Sequence, residues 1–268
     1  MKVSILDELI KANRMPVLFI GSGISKRYLF GYPSWEELLE RSFAKYEADP
    51  FQYQKHIDEC RRKNMSDFET NVHMGTLIEQ QFNEAFYDRK IKLGIGNNKN
   101  PSWVKRGISP YKMYLADLFK KQKLNHSLKM QQELVKFRAL KNKVSAIITT
   151  NYDTFLEKEV FNRDFQVYVR QHELFSADSY NIAEIYKIHG SALDAESIII
   201  TEDDYNHFEE SRKLIIAKML TLFAESPIIF MGYSMTDEDV RKIIEDFLGC
   251  LSDEQLLDIR KHFVFISY

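Results

Sequence analysis

The chain has 268 residues, 44% hydrophobic and 28% charged, which fits one large α/β domain, or a core with an inserted module, and excludes a disordered or membrane-embedded chain. Its formal net charge of −2 supplies no global basic field, so direct nucleic-acid binding is not expected. The two cysteines, Cys60 and Cys250, cannot build a zinc site by themselves, because such a site takes four ligands at close spacing.

In chain order, the N-terminus MKVSILDELIKANRM is broken by Asp7, Glu8 and Lys11 and lacks the apolar run of a signal peptide. Residues 5–13 read as a short amphipathic helix. No segment has the length of a membrane span, and isolated cysteines suit a reducing compartment, so a soluble cytoplasmic protein is expected. Val17 to Ile20 form a buried-strand candidate that runs into Gly21-Ser22-Gly23. The segment from Pro33, PSWEELLERSFAKY, opens a helix with Ser34 as cap and Glu37 three residues on. From Glu36 to Lys141 the pattern is helical and charge-rich, interrupted by LGIGNNKNPSW at 93–103, which reads as a loop. This block of residues 36–141 is expected to be a helical module inserted into a single domain of residues 1–268.

Short apolar strands then alternate with helices. Strands are expected at VSAIITT (144–150), at FQVYV (165–169), in AEIYKIHG up to His189 and Gly190, in SIIIT up to Thr201, in PIIFMGYS, and in the last HFVFISY. Helices are expected over EDDYNHFEESRKLIIAKMLTLFAE and TDEDVRKIIEDFLG. Such alternation predicts a parallel sheet covered on both faces. Ligands of these sheets bind outside the carboxyl ends of the strands.

Four strand ends carry polar residues: Gly21-Ser22-Gly23, Thr149 to Asp153, Lys187 to Ser191, and Gly232-Tyr233-Ser234. Each has a plain structural explanation. Glycines serve any sharp turn, Asn151 and Asp153 suit helix caps, His189 can be a structural hydrogen-bonder, and Gly232 and Ser234 can be turn and cap. In a parallel sheet, however, all four groups share one rim.

The ordered motifs FIGSGIS, YPSWEELL, ITTNYDTFLE, YKIHGS, ITEDDY and FMGYSMTDEDV resemble the sirtuin-like NAD-binding domain. The likeness is to the branch found in prokaryotic antiphage defence, as in Thoeris effectors, and runs from Val17 to about Ile244. It implies a Rossmann-like parallel sheet with helices on both faces, in which a helical insertion replaces the sirtuin zinc module. It implies NAD⁺ as substrate, no metal, and cleavage of the nicotinamide–ribose bond to nicotinamide and ADP-ribose, as a defence effector that depletes NAD⁺ when triggered. Asn151 and His189 would be catalytic, the first orienting water or ribose, the second as general base. Gly21, Ser22, Gly23, Ser25, Thr150, Asp153, Gly232 and Ser234 would bind the nucleotide, the GSG turn at the pyrophosphate and Gly232 and Ser234 on the adenosine side. Trp35 is expected to pack its helix rather than cover the site.

Two departures matter. The four-cysteine module of the deacylases is missing, and their aspartate-phenylalanine-arginine segment is replaced by Pro33-Ser34-Trp35; both argue against protein deacylation. Regulation implies a trigger, so a further C-terminal domain or partner protein and a homo-oligomer are expected; the helical block is expected to pack beside the sheet as a lid and assembly surface, with Leu77, Ile78, Phe82 and Phe86 serving either assembly or the domain's own core. The competing reading is a non-catalytic module that senses NAD or an ADP-ribose-type nucleotide and controls a partner.

Overall fold

The computed structural model describes residues 14–95, 102–175, 183–259 and 262–266. Six parallel strands, β1 (Val17–Ile20), β2 (Ala146–Thr149), β3 (Gln166–Tyr168), β4 (Glu184–Lys187), β5 (Ile228–Met231) and β6 (Phe263–Ile266), form one sheet in the order β3-β4-β2-β1-β5-β6. The fold is Rossmann-like α/β. From β1 the chain adds β2 beside it, places β3 at the far edge and fills the gap with β4, then crosses to the other side for β5 and β6. The switch therefore lies at β1, where a parallel sheet opens a crevice at its carboxyl rim.

Alternation explains the layers. Successive side chains of a strand point to opposite faces. Leu18, Ile20, Ile147, Ile185 and Ile229 join one core cluster, while Val17, Phe19, Ile148, Tyr186, Ile228 and Phe230 join the other. Both faces are covered, so the central strands read as unbroken apolar runs.

The first cluster is shared between the sheet and the helices that precede β2. Those helices include Trp35–Phe43, Pro50–Arg62, Asp67–Tyr87, Pro110–Lys120 and Leu128–Arg138. Ser34 caps its helix as the sequence predicts, with a reciprocal bond from its own N–H to Glu37. Ile78 and Phe82 are fully buried, and Leu77 and Phe86 pack on the same core. Of the two uses open to these four residues, filling the domain's own core is the one seen. The long helix Asp67–Tyr87 approaches the segment after β4 so closely that a Cβ on Gly75 would lie 2.2 Å from the Ile200 carbonyl oxygen.

Three expectations change. Ile198 to Ile200 do not form a strand: β4 already has β2 and β3 as neighbours, so this buried run crosses the rim, bonded to it by the Ile199 N–H to the His189 carbonyl (3.0 Å). β-branched residues here signal burial and not pairing. The expected loop at 93–103 gives way to a short helix at Ser102–Lys105. The helix expected from Glu202 onward is two helices, Glu202–Asn206 and Phe208–Glu225. The expected helix at residues 5–13 lies outside the described residues.

Candidate active site

At the carboxyl rim lies a cavity of about 280 Å³, close to the lower end of small-molecule sites at roughly 300 Å³. Of the residues expected to form a site, Ser22, Thr150, Asn151, His189 and Ser234 line it. Gly21, Gly23, Ser25, Asp153 and Gly232 are not on its wall; the structure shows them building the floor behind it.

That floor is a hydrogen-bond network joining the ends of β1 and β2. The Thr149 hydroxyl donates to the Ile20 carbonyl at 2.7 Å and accepts from the Asn151 N–H at 3.1 Å. Asn151 is buried, and its amide Nδ2 donates both protons, to the Gly21 carbonyl (3.0 Å) and to Ser25 Oγ (2.9 Å). A carbonyl can only accept, which fixes the orientation of this amide. Ser25 Oγ in turn donates to Asp153 Oδ2 at 2.7 Å, and Asp153 Oδ1 accepts from the Phe155 N–H at 2.8 Å. Ser25 is fully buried. What Asn151 has left for a ligand is therefore its carbonyl Oδ1, an acceptor.

Below the network, Lys187 of β4 is 1% exposed. Its ammonium donates to the Asp153 carbonyl and lies 3.2 Å from Glu157 Oε1. The lysine of the Lys-Ile-His motif thus holds the Asn151–Asp153 turn from beneath.

The glycines have a reason visible in the structure. Gly21 and Gly23 interlock with Gly232 at the end of β5. A Cβ on Gly21 would meet the Gly232 carbonyl oxygen at 2.5 Å, and one on Gly232, where φ is +61°, would meet the Ile24 nitrogen at 2.6 Å. The Gly23 N–H donates to the Gly232 carbonyl at 2.9 Å. Close approach of two strand-end loops demands glycine here before any ligand is considered.

His189 is buried in a ring cage, nearly perpendicular to Tyr205 and Phe208 with centroids 5.7 and 5.6 Å away. Burial lowers its pKa below the ordinary histidine value; Asp237 opposes the shift, and Arg212 adds to it. The imidazole is consequently neutral at pH 7 and able to accept a proton. Arg212 is tied to backbone, donating to the Ile188 and Ser197 carbonyls at 3.1 and 3.0 Å. Gly190, at φ +97°, completes the turn, with no room for a Cβ beside the Ser197 carbonyl.

The cavity has lining residues beyond the expected ones. Tyr32, Phe68, Asn71, Tyr205, Tyr233 and Asp237 also line the cavity. Trp35 lines it as well and packs edge-on to Phe68 at 5.7 Å, so the same ring both packs and faces the site. Burial, then the Asp153 carboxylate, holds the Tyr32 phenol well above its ordinary pKa. Tyr32 and Trp35 lie in the YPSWEELL motif, Tyr205 in ITEDDY, and Tyr233 and Asp237 in FMGYSMTDEDV. Phe68 and Asn71 come from a helix that carries no local mark of the site. Among the described residues there is no group of three His, Cys, Asp or Glu side chains able to hold a metal, and no helix is long and apolar enough to cross a membrane.

Residues 145–268 match the SIR2-like domain. Over 247 residues the chain is 22% identical to defense-associated sirtuin 2 of Bacillus subtilis, covering 90% of this chain and 20% of that protein. NAD(+) hydrolase ThsA of Enterococcus faecium is 29% identical over 111 residues, 40% of this chain and 23% of the relative. NAD(+) hydrolase ThsA of Cytobacillus dafuensis is 26% identical over 119 residues, with 44% and 23% covered. The alignments thus span 20% to 23% of these relatives' lengths. The matched SIR2-like segment holds Asn151, His189 and the Gly232 turn; β1 and the GSG turn precede it in sequence and complete its sheet.

Proposed function

We propose that this cavity binds NAD⁺ and hydrolyses its nicotinamide–ribose bond, giving nicotinamide, ADP-ribose and a proton. The observation that carries the reading is the meeting, in one cavity at the sheet's switch point, of a fixed acceptor, Asn151 Oδ1, and a buried neutral imidazole, His189. The names of two relatives, both NAD(+) hydrolases, support it.

Nicotinamide in NAD⁺ is cationic and leaves with the electron pair of the C–N bond, so the site needs no strong acid. The transition state resembles an oxocarbenium ion, which an oriented carbonyl dipole and a correctly placed water favour. Asn151 Oδ1 accepts a hydrogen bond from that water or from a ribose hydroxyl, and its two donated bonds prevent the amide from turning. Water oxygen bonds to the ribose carbon as the C–N bond breaks, and His189 takes the water proton. Ser22 and Ser234, with the rim backbone, hold the rest of the dinucleotide. Ser25 and Asp153 act one layer below, on Asn151. Among the described residues, the aromatic wall of Trp35, Phe68 and Tyr205 closes the other side.

A defence role follows from the relative named a defense-associated sirtuin, with activity held back until a further domain, a partner or self-assembly releases it. The test is incubation of purified protein with NAD⁺ and product analysis. The expected result is nicotinamide and ADP-ribose, abolished in Asn151→Ala and His189→Ala with unchanged circular dichroism. Tight NAD⁺ binding without turnover, including in the presence of candidate activators, would replace this reading by the nucleotide-sensing one.

A further inference from the structure

The two ring nitrogens of His189 are in different surroundings. Nε2 is shut off from solvent and makes no hydrogen bond, and it lies 3.5 Å from Asp237 Oδ2. Asp237 is itself 7% exposed. Its Oδ1 accepts the Val240 N–H at 3.0 Å, capping the helix Glu238–Gly249, and its Oδ2 is 3.4 Å from the Tyr205 hydroxyl, which donates to it. A carboxylate oxygen can take a second donor. A buried nitrogen facing it is satisfied only when that nitrogen carries the proton, since a lone pair there would leave both groups unpaired and repelling. The separation exceeds the roughly 2.7–3.2 Å of a formed bond, as is common for catalytic pairs before substrate binds. The other charged group near the ring, Arg212, is committed to the Ile188 and Ser197 carbonyls and offers Nε2 no acceptor. Tyr205 and Phe208, edge-on at either side, hold the ring plane.

We propose that Asp237 is the positioning residue that sets the tautomer of His189, with the proton on Nε2 toward the carboxylate and the lone pair on Nδ1 for the cavity. The tautomer stands on this geometry alone; its consequence for turnover rests on the NAD⁺ hydrolysis proposed above. A cap residue explains the aspartate completely at the level of sequence, so the second use of its carboxylate shows only in three dimensions.

The test is the ¹⁵N spectrum of the imidazoles in the full chain at pH 8, with His189 assigned by its loss in His189→Gln. The wild type should show a protonated Nε2 and an unprotonated Nδ1. Asp237→Asn keeps an oxygen for the Val240 cap and turns an amide donor toward Nε2, so the proton should move to Nδ1. NAD⁺ cleavage should then fall by roughly 100- to 10,000-fold in kcat, the range for a base held in the wrong tautomer, with KM and the urea midpoint little changed. A wild-type His189 protonated on Nδ1 would overturn the proposal, and this result needs no variant to fold. So would Asp237→Asn with an unchanged tautomer, or with a swapped tautomer and full activity. A swapped tautomer in a protein whose wild type cleaves no NAD⁺ would keep the positioning and remove the hydrolase.

Discussion

Lys187→Met separates the support beneath the turn from the chemistry above it. Met has similar length and no charge, so packing is nearly conserved while the ammonium disappears. Two groups then lose their partner: the Asp153 carbonyl and Glu157 Oε1. Glu157 is 5% exposed, and its Oε2 already lacks a partner. Removing one member of a buried pair costs about 3–5 kcal/mol, because the other charge stays buried alone. The orphaned carbonyl adds about 1–3 kcal/mol. Against a total stability of about 5–15 kcal/mol, the single variant should be marginal. Lys187→Met with Glu157→Leu removes the orphaned charge and should recover most of the first contribution, leaving a deficit near that of the carbonyl. The assay is equilibrium urea unfolding followed by far-UV circular dichroism, read as a double-mutant cycle. A single variant within about 1 kcal/mol of wild type, or a double variant no better than the single, would mean that the Lys187–Glu157 pair leaves no buried charge uncompensated when broken. Nucleotide binding should remain weakened in the double variant, since the turn carrying Asn151 still lacks its anchor.

The remaining expectations are simpler. Gly232→Ala combines a left-handed φ of +61° with a Cβ 2.6 Å from the Ile24 nitrogen; strain and overpacking together should cost about 2–5 kcal/mol in urea unfolding, and a neutral result would show that the interlock yields. Asn151→Asp places a carboxylate oxygen against the Gly21 carbonyl in place of a donor, so it should lower the melting temperature as well as abolish cleavage, whereas a stable variant would place the amide differently. Asp239, pushed up to about 7 by burial and then by Asp237, keeps its proton in the folded state while the unfolded chain releases it near pH 4. Folding therefore loses stability as pH rises through that window to about 7. Asp239→Asn does not titrate and should gain on the wild type between pH 5 and 8, with parallel urea midpoints as the contrary result.

The strand ends were legible because each strand is a short apolar run that stops at a polar motif, and a parallel sheet puts all such stops on one rim. Asn151 and His189 were recoverable this way, and so was the Ser34 cap. Pattern alone could not separate a residue that faces the cavity from one that holds it. Ser25 and Asp153 sit in motifs as prominent as Asn151, yet they bond to each other and to it behind the wall. The glycines were legible as turns, but their need for one another was not, because Gly21 and Gly232 are far apart in sequence and meet only when β5 lies beside β1. Phe68 and Asn71 reach the cavity through helix packing, which leaves no local periodicity different from that of any amphipathic helix. The Ile198 to Ile200 run misled for a related reason: three buried β-branched residues look alike in a strand and in an extended crossing.

The sheet also shows why the SIR2-like segment is not a self-sufficient unit. That match begins at residue 145, but β1 lies earlier and pairs with β2 on one side and β5 on the other. Without β1 the sheet divides into β3-β4-β2 and β5-β6, each with a newly exposed edge. The cavity divides with it. Asn151 loses Gly21 and Ser25, the partners of both its amide protons, and the Gly232 turn loses the loop it interlocks with. The aromatic wall depends equally on the early residues, since Trp35 and Phe68 belong to helices that come before β2. Those helices fill the same core as Ile147 and Ile185, so they cannot be removed as an appendage without uncovering one face of the sheet. The Asn151 amide thus takes its geometry from Gly21 and Ser25, 130 and 126 positions earlier in the chain.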